Sequence, residues 1–142
     1  MTAMATIQHI FHIDASFEEV YNAISTIQGI QNWWTTNTSG EEALNGTILV
    51  RFGKNGGMDF KVIENSPSKS YKWKTTDGHP EWIDTEIHFE LDENDNKVRV
   101  TFTHSGWKEA TPFMSQCNFS WARYMISLRN YLEKGQGEPY SE

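Results

Sequence analysis

Alternation of apolar and polar positions marks the first element of the chain. Ile7, His9, Phe11 and Ile13 fall on one side, with Gln8 and His12 opposite, which predicts a strand over 7–13; Ile10 interrupts its polar face. Asp14-Ala15 breaks the run. Ser16 then stands three residues before Glu19, the spacing of a capping box, and Phe17, Val20, Tyr21 and Ile24 continue at helical intervals. Gly29 interrupts that pattern, so 27–34 reads as a second short helix or turn with Trp33 and Trp34 near its end.

The period then shifts to two. Ile48, Val50 and Phe52 share one face of a strand over 47–52, the Gly53-Lys54-Asn55-Gly56-Gly57 segment supplies a hairpin turn, and a strand returns over 58–64. Asn65-Ser66-Pro67 ends it. Tyr71, Trp73 and Thr75 alternate with Lys72 and Lys74. After the loop around Asp77-Gly78-His79-Pro80, the odd positions Ile83, Thr85, Ile87, Phe89 and Leu91 form a clean inner face. A turn over 92–96 leads to a last strand, with Val98, Val100, Phe102 and His104 inward and Ser105-Gly106 ending it. Pro112 suits the first turn of a helix. From Phe113 to about Lys134 there is no Gly or Pro. Phe113, Cys117, Trp121, Tyr124, Met125, Leu128, Tyr131 and Leu132 recur there at intervals of three and four. A helix of that extent is about 33 Å long, enough to cross a small sheet. Gly135 and Gly137 end it, the tail 138–142 reads as frayed, and Met1 to Ala5 reads as a loose leader, leaving an ordered core over about 6–134.

The order is strand, two short helices, five strands and a long helix. Hairpin-sized loops join the strands with no helical crossover, which predicts an α+β fold: a curved antiparallel sheet gripping the long C-terminal helix, in one domain over 1–142.

Composition sharpens this in one respect. Aromatic residues reach 13% of the 142 residues, with six Trp, an excess that fits a bulky core and also the lining of a ligand groove. The formal charge of −7 works against binding nucleic acid or an anionic membrane surface. No apolar stretch approaches a membrane span. Cys117 is the single cysteine, which excludes an intrachain disulfide and agrees with a cytoplasmic protein. Asn37, Asn45 and Asn118 open glycosylation triplets, which have no meaning in that compartment.

Several segments together carry a family resemblance. They are Ser16 to Ile24 after the opening strand, Trp33-Trp34, Leu44 to Thr47, Val62 to Pro67, Tyr71-Lys72-Trp73, Thr101 to Trp107, and a last helix carrying Trp121 and ending at Tyr131-Leu132-Glu133. In this order they resemble the START-related, birch-pollen-allergen-like superfamily, in particular the branch similar to the C-terminal domain of the activator of the heat-shock-protein-90 ATPase. The departure at Leu44-Asn45-Gly46, where family members often show paired glycines, concerns local turn geometry. The resemblance implies a helix-grip architecture with a cavity between sheet and helix; members of the wider superfamily bind lipids, sterols or other apolar compounds, and some are enzymes. The activator carries a further N-terminal domain that this sequence does not show, so chaperone activation is the weaker expectation.

In such a cavity the wall comes from inward strand faces, the helix stripe and the mouth loops. This selects Phe52, Phe60, Tyr71, Trp73, Thr85, Ile87, His104, Trp107, Phe113, Trp121 and Met125 as candidate ligand-binding residues, each of which also fits plain core packing. His104 stands out as a polar group on the inward face, able to serve a ligand oxygen or to be a structural histidine bonded to a carbonyl or Thr. Thr85 and the Tyr71 hydroxyl offer further polar contacts. Trp33, Trp34, Trp82 and Trp107 fall in or beside connecting segments, where they can gate a mouth or anchor loops.

Other motifs fail on spacing. Gly53 to Gly57 lacks the Gly-Lys-Ser/Thr ending of a phosphate loop, and Lys97 occupies the Gly position that an Asp92-Asn94-Asn96 calcium loop needs. His9 and His12 lack carboxylate or Cys neighbours at metal spacing. Ser105 and His104 are adjacent in a strand and point to opposite faces, against a Ser-His pair. No catalytic, metal or cofactor residues are assigned. The leading expectation is noncatalytic binding of a small apolar or aromatic molecule, with a protein-interaction or chaperone-accessory role as the alternative and an enzyme using the same cavity less favoured. A monomer and a homodimer are both compatible with the sequence.

Overall fold

The computed structural model describes residues 4–141. Met1 to Ala3 of the expected leader and Glu142 of the expected tail lie outside them. Strand β1 spans Ala5–Ile13, followed by helices α1 (Phe17–Ser25) and α2 (Ile27–Gln31). Strands β2 (Thr38–Gly40), β3 (Thr47–Arg51), β4 (Gly57–Ser66), β5 (Ser70–Asp77), β6 (Glu86–Asn94) and β7 (Lys97–Trp107) lead to helix α3 (Pro112–Lys134). One seven-stranded sheet runs in the order β1-β7-β6-β5-β4-β3-β2, with antiparallel neighbours throughout. This is the predicted helix-grip architecture. It places β1 and β2 at the two free edges.

Local chemistry explains the element ends. The Ser16 hydroxyl accepts from the Glu19 N–H at 3.1 Å, closing the capping box of α1. Thr111 caps α3 by accepting from the Met114 N–H at 3.1 Å. Gly135, at φ 78°, ends α3 in the left-handed region that a side chain disfavours. Asp95 and Asn96 both have positive φ, 55° and 61°, and form a two-residue turn between Asn94 and Lys97.

Four features depart from the sequence reading. Strand β2 went unpredicted, because three residues are too few to show a period. Strand β6 begins at Glu86 rather than Ile83: Asp84 takes φ 68°, and 81–84 form a turn in which the Thr85 N–H donates to the Trp82 carbonyl at 2.9 Å. The tail is docked, not frayed. Tyr140 bridges Thr35, its N–H donating to the Trp34 carbonyl at 2.8 Å, and the Glu138 N–H donates to the Ser127 hydroxyl at 2.6 Å.

Strand β7 supplies the fourth departure, continuing through Ser105-Gly106 to Trp107. The register slips there, since Ile7 faces His104 but Ala5 faces Trp107, so three steps on β7 oppose two on β1. Gly106, at φ 88°, carries the bulge. Simple alternation would send His104 and Trp107 to opposite faces; the extra residue turns both inward, and both are buried. Gly106→Ala is expected to destabilise the fold by about 1–3 kcal/mol through backbone strain, read as a lower urea midpoint at unchanged slope. An unshifted midpoint would show that the bulge tolerates a side chain.

Candidate functional site

The space between sheet and α3 is packed with rings. Trp34 lies at the centre, its ring centroid 5.8 Å from Trp73 and nearly parallel to it, 5.8 Å from Phe60, and 5.0 Å from Trp121 on α3. Trp33 donates its indole N–H to the Ala23 carbonyl at 2.8 Å and stacks on Trp34 at 6.0 Å. Phe89 and Phe102 continue the layer, with Phe102 at 4.6 Å from Trp121. Trp33, Trp34, Trp82 and Trp107 are all buried and anchor their segments to the core.

Within this layer His104 has a defined role. The Trp121 indole N–H donates to His104 Nδ1 at 3.0 Å, which leaves Nε2 as the protonated nitrogen, 2.8 Å from the Thr85 hydroxyl. Thr85 passes its own proton to the Trp82 carbonyl at 2.6 Å and lies 3.1 Å from the Thr75 hydroxyl. His104 is fully buried, and desolvation pushes its pKa down to about 3. It is therefore neutral at physiological pH, and both its nitrogens are committed to the protein. This is the structural histidine of the two readings, and its partners are a Thr and an indole.

The Tyr71 hydroxyl is committed too, donating to the Glu42 carbonyl at 2.8 Å, and burial raises its pKa. The buried indole N–H groups of Trp73 and Trp107, by contrast, have no hydrogen-bond partner among the described residues. Phe60, Tyr71, Trp73, Thr85 and Ile87 are wholly buried side by side on the inner sheet face. Met125 faces β1 and lines a shallow depression there with Ile10 and Ile126.

A groove of about 360 Å³ opens beside the N-terminal half of α3. It brings together Phe52, Phe113 and Trp121 from the predicted set and adds Trp34, Trp82 and Tyr140. His79 stacks on Phe113 at 3.8 Å at one side, while Phe52 and Tyr140 meet at 5.6 Å at the other. Cys117 lines the floor, free and buried, where it accepts from the Trp82 indole N–H at 3.4 Å; burial raises its thiol pKa. The Tyr140 contribution was invisible to periodicity, because it depends on where the tail docks.

One polar cluster on the outer sheet face escaped the sequence reading. The Ser70 hydroxyl lies 2.7 Å from His88 Nε2, and His88 Nδ1 is 3.4 Å from Glu90. The order resembles a nucleophile, base and orienting acid, but the Ser70 hydroxyl also meets the Glu64 carboxylate, which can only accept. Ser70 thus gives its proton to Glu64 and accepts from His88, which is opposite to activation. This bond is also the main reason that the Glu64 carboxyl is held below its usual range. Among the described residues no group of three His, Cys, Asp or Glu is placed to hold a metal ion, and no helix is long and apolar enough to cross a membrane.

The depressed pKa of His104 has a signed consequence. Unfolded chain takes up a proton below about pH 6.5, whereas the native site stays neutral until about pH 3, so stability is full above 6.5 and falls as pH is lowered between those values. At pH 5 this amounts to about 2 kcal/mol. Urea unfolding of the wild type and of His104→Gln at pH 7 and pH 5 should show a loss on acidification that is smaller in the variant by about that amount. Parallel losses would remove His104 as the titrating group.

Comparison with known proteins agrees with this architecture. A family model for activator of Hsp90 ATPase homolog 1-like protein matches residues 14–133. A solved structure of the Aha1 dimer from Colwellia psychrerythraea is 42% identical, covers 94% of this chain and 100% of its own, and superposes with a TM-score of 0.87. Protein BH1534 from Bacillus halodurans (21% identity, 94% of this chain and 100% of its own, TM-score 0.75) and SSP2350 from Staphylococcus saprophyticus (18%, 94% and 96%, 0.75) share the fold. No curated protein matches the chain. With the family model spanning most of the sequence and the helix-grip fold in place, the chain belongs to the activator of Hsp90 ATPase homolog 1-like family.

Proposed function

We propose that this chain is a protein-interaction domain of the chaperone-accessory kind, whose partner is an ATP-hydrolysing chaperone of the Hsp90 class. The observation that carries this reading is the filled interior: Trp34, wedged between Trp73 and Trp121, occupies the space a carrier would leave for cargo. The family match and the relative at 42% identity over its whole length support the same partner class. That relative, solved as a dimer, also supports a homodimeric reading of this chain. The free, buried Cys117 fits a reducing, cytoplasmic setting.

The mechanism this implies is thermodynamic. A domain that supplies no reacting group raises a chaperone's turnover only by binding its hydrolysis-competent conformation more tightly than its resting one, and the shift equals that difference in affinity. A rigid aromatic core suits the task, because a surface held in place loses little entropy on docking. Titrating the chain into the Hsp90-class chaperone of the same cell should give a saturable rise in ATP turnover, together with co-sedimentation. Unchanged turnover without co-sedimentation would sink the proposal.

The groove at the mouth supports a second reading, in which a small flat apolar molecule stacks on Phe52, Phe113 and Trp121. Its volume of about 360 Å³ and its aromatic wall suit such a ligand. Ser120 also lines the groove from an exposed position on α3. A neutral probe such as 1-naphthol should alter tryptophan emission in the wild type and not in Ser120→Trp, whose new ring plugs the groove, after subtraction of each protein's own spectrum. Equal responses in both would place the probe elsewhere.

A further inference from the structure

The sheet's two free edges are unequal. Strand β2 is three residues long and ends at Gly40, where φ is 108° and the backbone lies against Thr47, so it offers little to a partner. Strand β1 is nine residues long, and its sequence, Ala-Thr-Ile-Gln-His-Ile-Phe-His-Ile, contains no Lys, Asp, Glu or Pro. It pairs with β7 on one side only. Long uncharged edges of this kind are the ones proteins normally blunt, because their unpaired N–H and C=O groups template a further strand.

Exposed apolar side chains gather along the same side. Among the described residues the large exposed hydrophobics are Met4, Ile10, Leu44, Phe119 and Ile126. Ile10 (58% exposed) lies on β1, Met4 immediately precedes it, and Phe119 (63%) and Ile126 (49%) lie on α3. Ile10 and Ile126 border one depression, together with His9, Phe11, Ala122 and Arg129. Ile10 adjoins Ile126 in that depression and, further along both elements, the Asp14 N–H donates to Glu133 at 2.8 Å, so β1 and α3 run side by side in the same direction. Phe119, Ala122 and Ile126 follow at helical spacing, a stripe distinct from the buried one through Cys117, Trp121, Met125 and Leu128.

We infer that this face, the free edge of β1 with the Phe119–Ile126 side of α3, receives a second copy of the chain. The inference rests on the homodimeric reading above and is independent of the chaperone partner. A two-fold axis perpendicular to the sheet near His9 sets two β1 strands antiparallel and joins the sheets. The same operation places both α3 helices on one face of the joined sheet, each turning its Phe119 and Ile126 toward the other copy. Such an interface is self-complementary, as two-fold symmetry requires, and it pairs the open edge while covering most of the exposed apolar residues.

Sedimentation and light scattering at about 50 µM should give the wild type roughly twice the 16.4 kDa chain mass. Phe119→Glu and Ile126→Glu are exposed helix positions that leave the core untouched. Each should weaken self-association about 30-fold or more, and the pair should yield monomer with an unchanged circular dichroism melt. Leu44→Glu, on the remaining exposed apolar side chain, should stay dimeric. Amide exchange should show β1 protected in the dimer and released on dilution. A wild type that is monomeric at this concentration overturns the homodimeric reading and this face with it. A dimer that survives the double substitution, or shows no protection along β1, overturns the face alone.

Discussion

Helix α3 is held to the sheet at its middle by hydrogen bonds running from the Trp121 indole through His104 and Thr85 to the Trp82 carbonyl. Each member is buried, and each proton has one acceptor, so the chain fixes a single tautomer of His104 and a single depth for the helix. Removing one member leaves another polar atom without a partner in a dry interior, which is far more costly than the net value of the bond it made. The rest of the architecture follows from this depth. With Trp121 seated against His104, Trp34 and Phe102 each gain a ring of α3 to pack on.

The same packing sets the functional alternatives apart. A helix-grip fold defines a space between helix and sheet, and its contents depend on side-chain volume. Here five indoles, those of Trp33, Trp34, Trp73, Trp82 and Trp121, crowd it together with Phe60, Phe89 and Phe102. What stays open is the margin, where Phe113, Phe52 and the docked Tyr140 frame a groove. A domain built this way is better suited to presenting fixed surfaces than to enclosing cargo. The groove and the bare β1 edge are the surfaces on which the proposed interactions rest.

Much of this was legible residue by residue. The capping box at Ser16, the alternation of β7 and the stripe of α3 each report a local periodicity that burial on one face imposes, and all appear where the pattern put them. The candidate site was less legible. Alternation identifies inward positions but does not separate a wall from a filled core, so Phe60, Tyr71, Trp73 and Ile87 looked the same as Phe52 and Phe113. The second nitrogen of His104 and the hydroxyl of Thr85 had equally open fates until their partners, distant in sequence, were in place.

By itself, then, the sequence determined the order of elements, the antiparallel sheet, the covering helix and the inward face of the regular strands, because each depends on neighbours a few residues away. Tertiary structure decided the rest. The Gly106 bulge turns Trp107 inward through pairing with β1, the tail docks on the Trp34 carbonyl, and Asp84 shortens β6 through contact with β5. It also decided that Trp34, from a loop some forty residues before Trp73, occupies the centre of the grip. These outcomes rest on contacts between segments far apart in the chain, and only the folded geometry brings such segments within reach of one another.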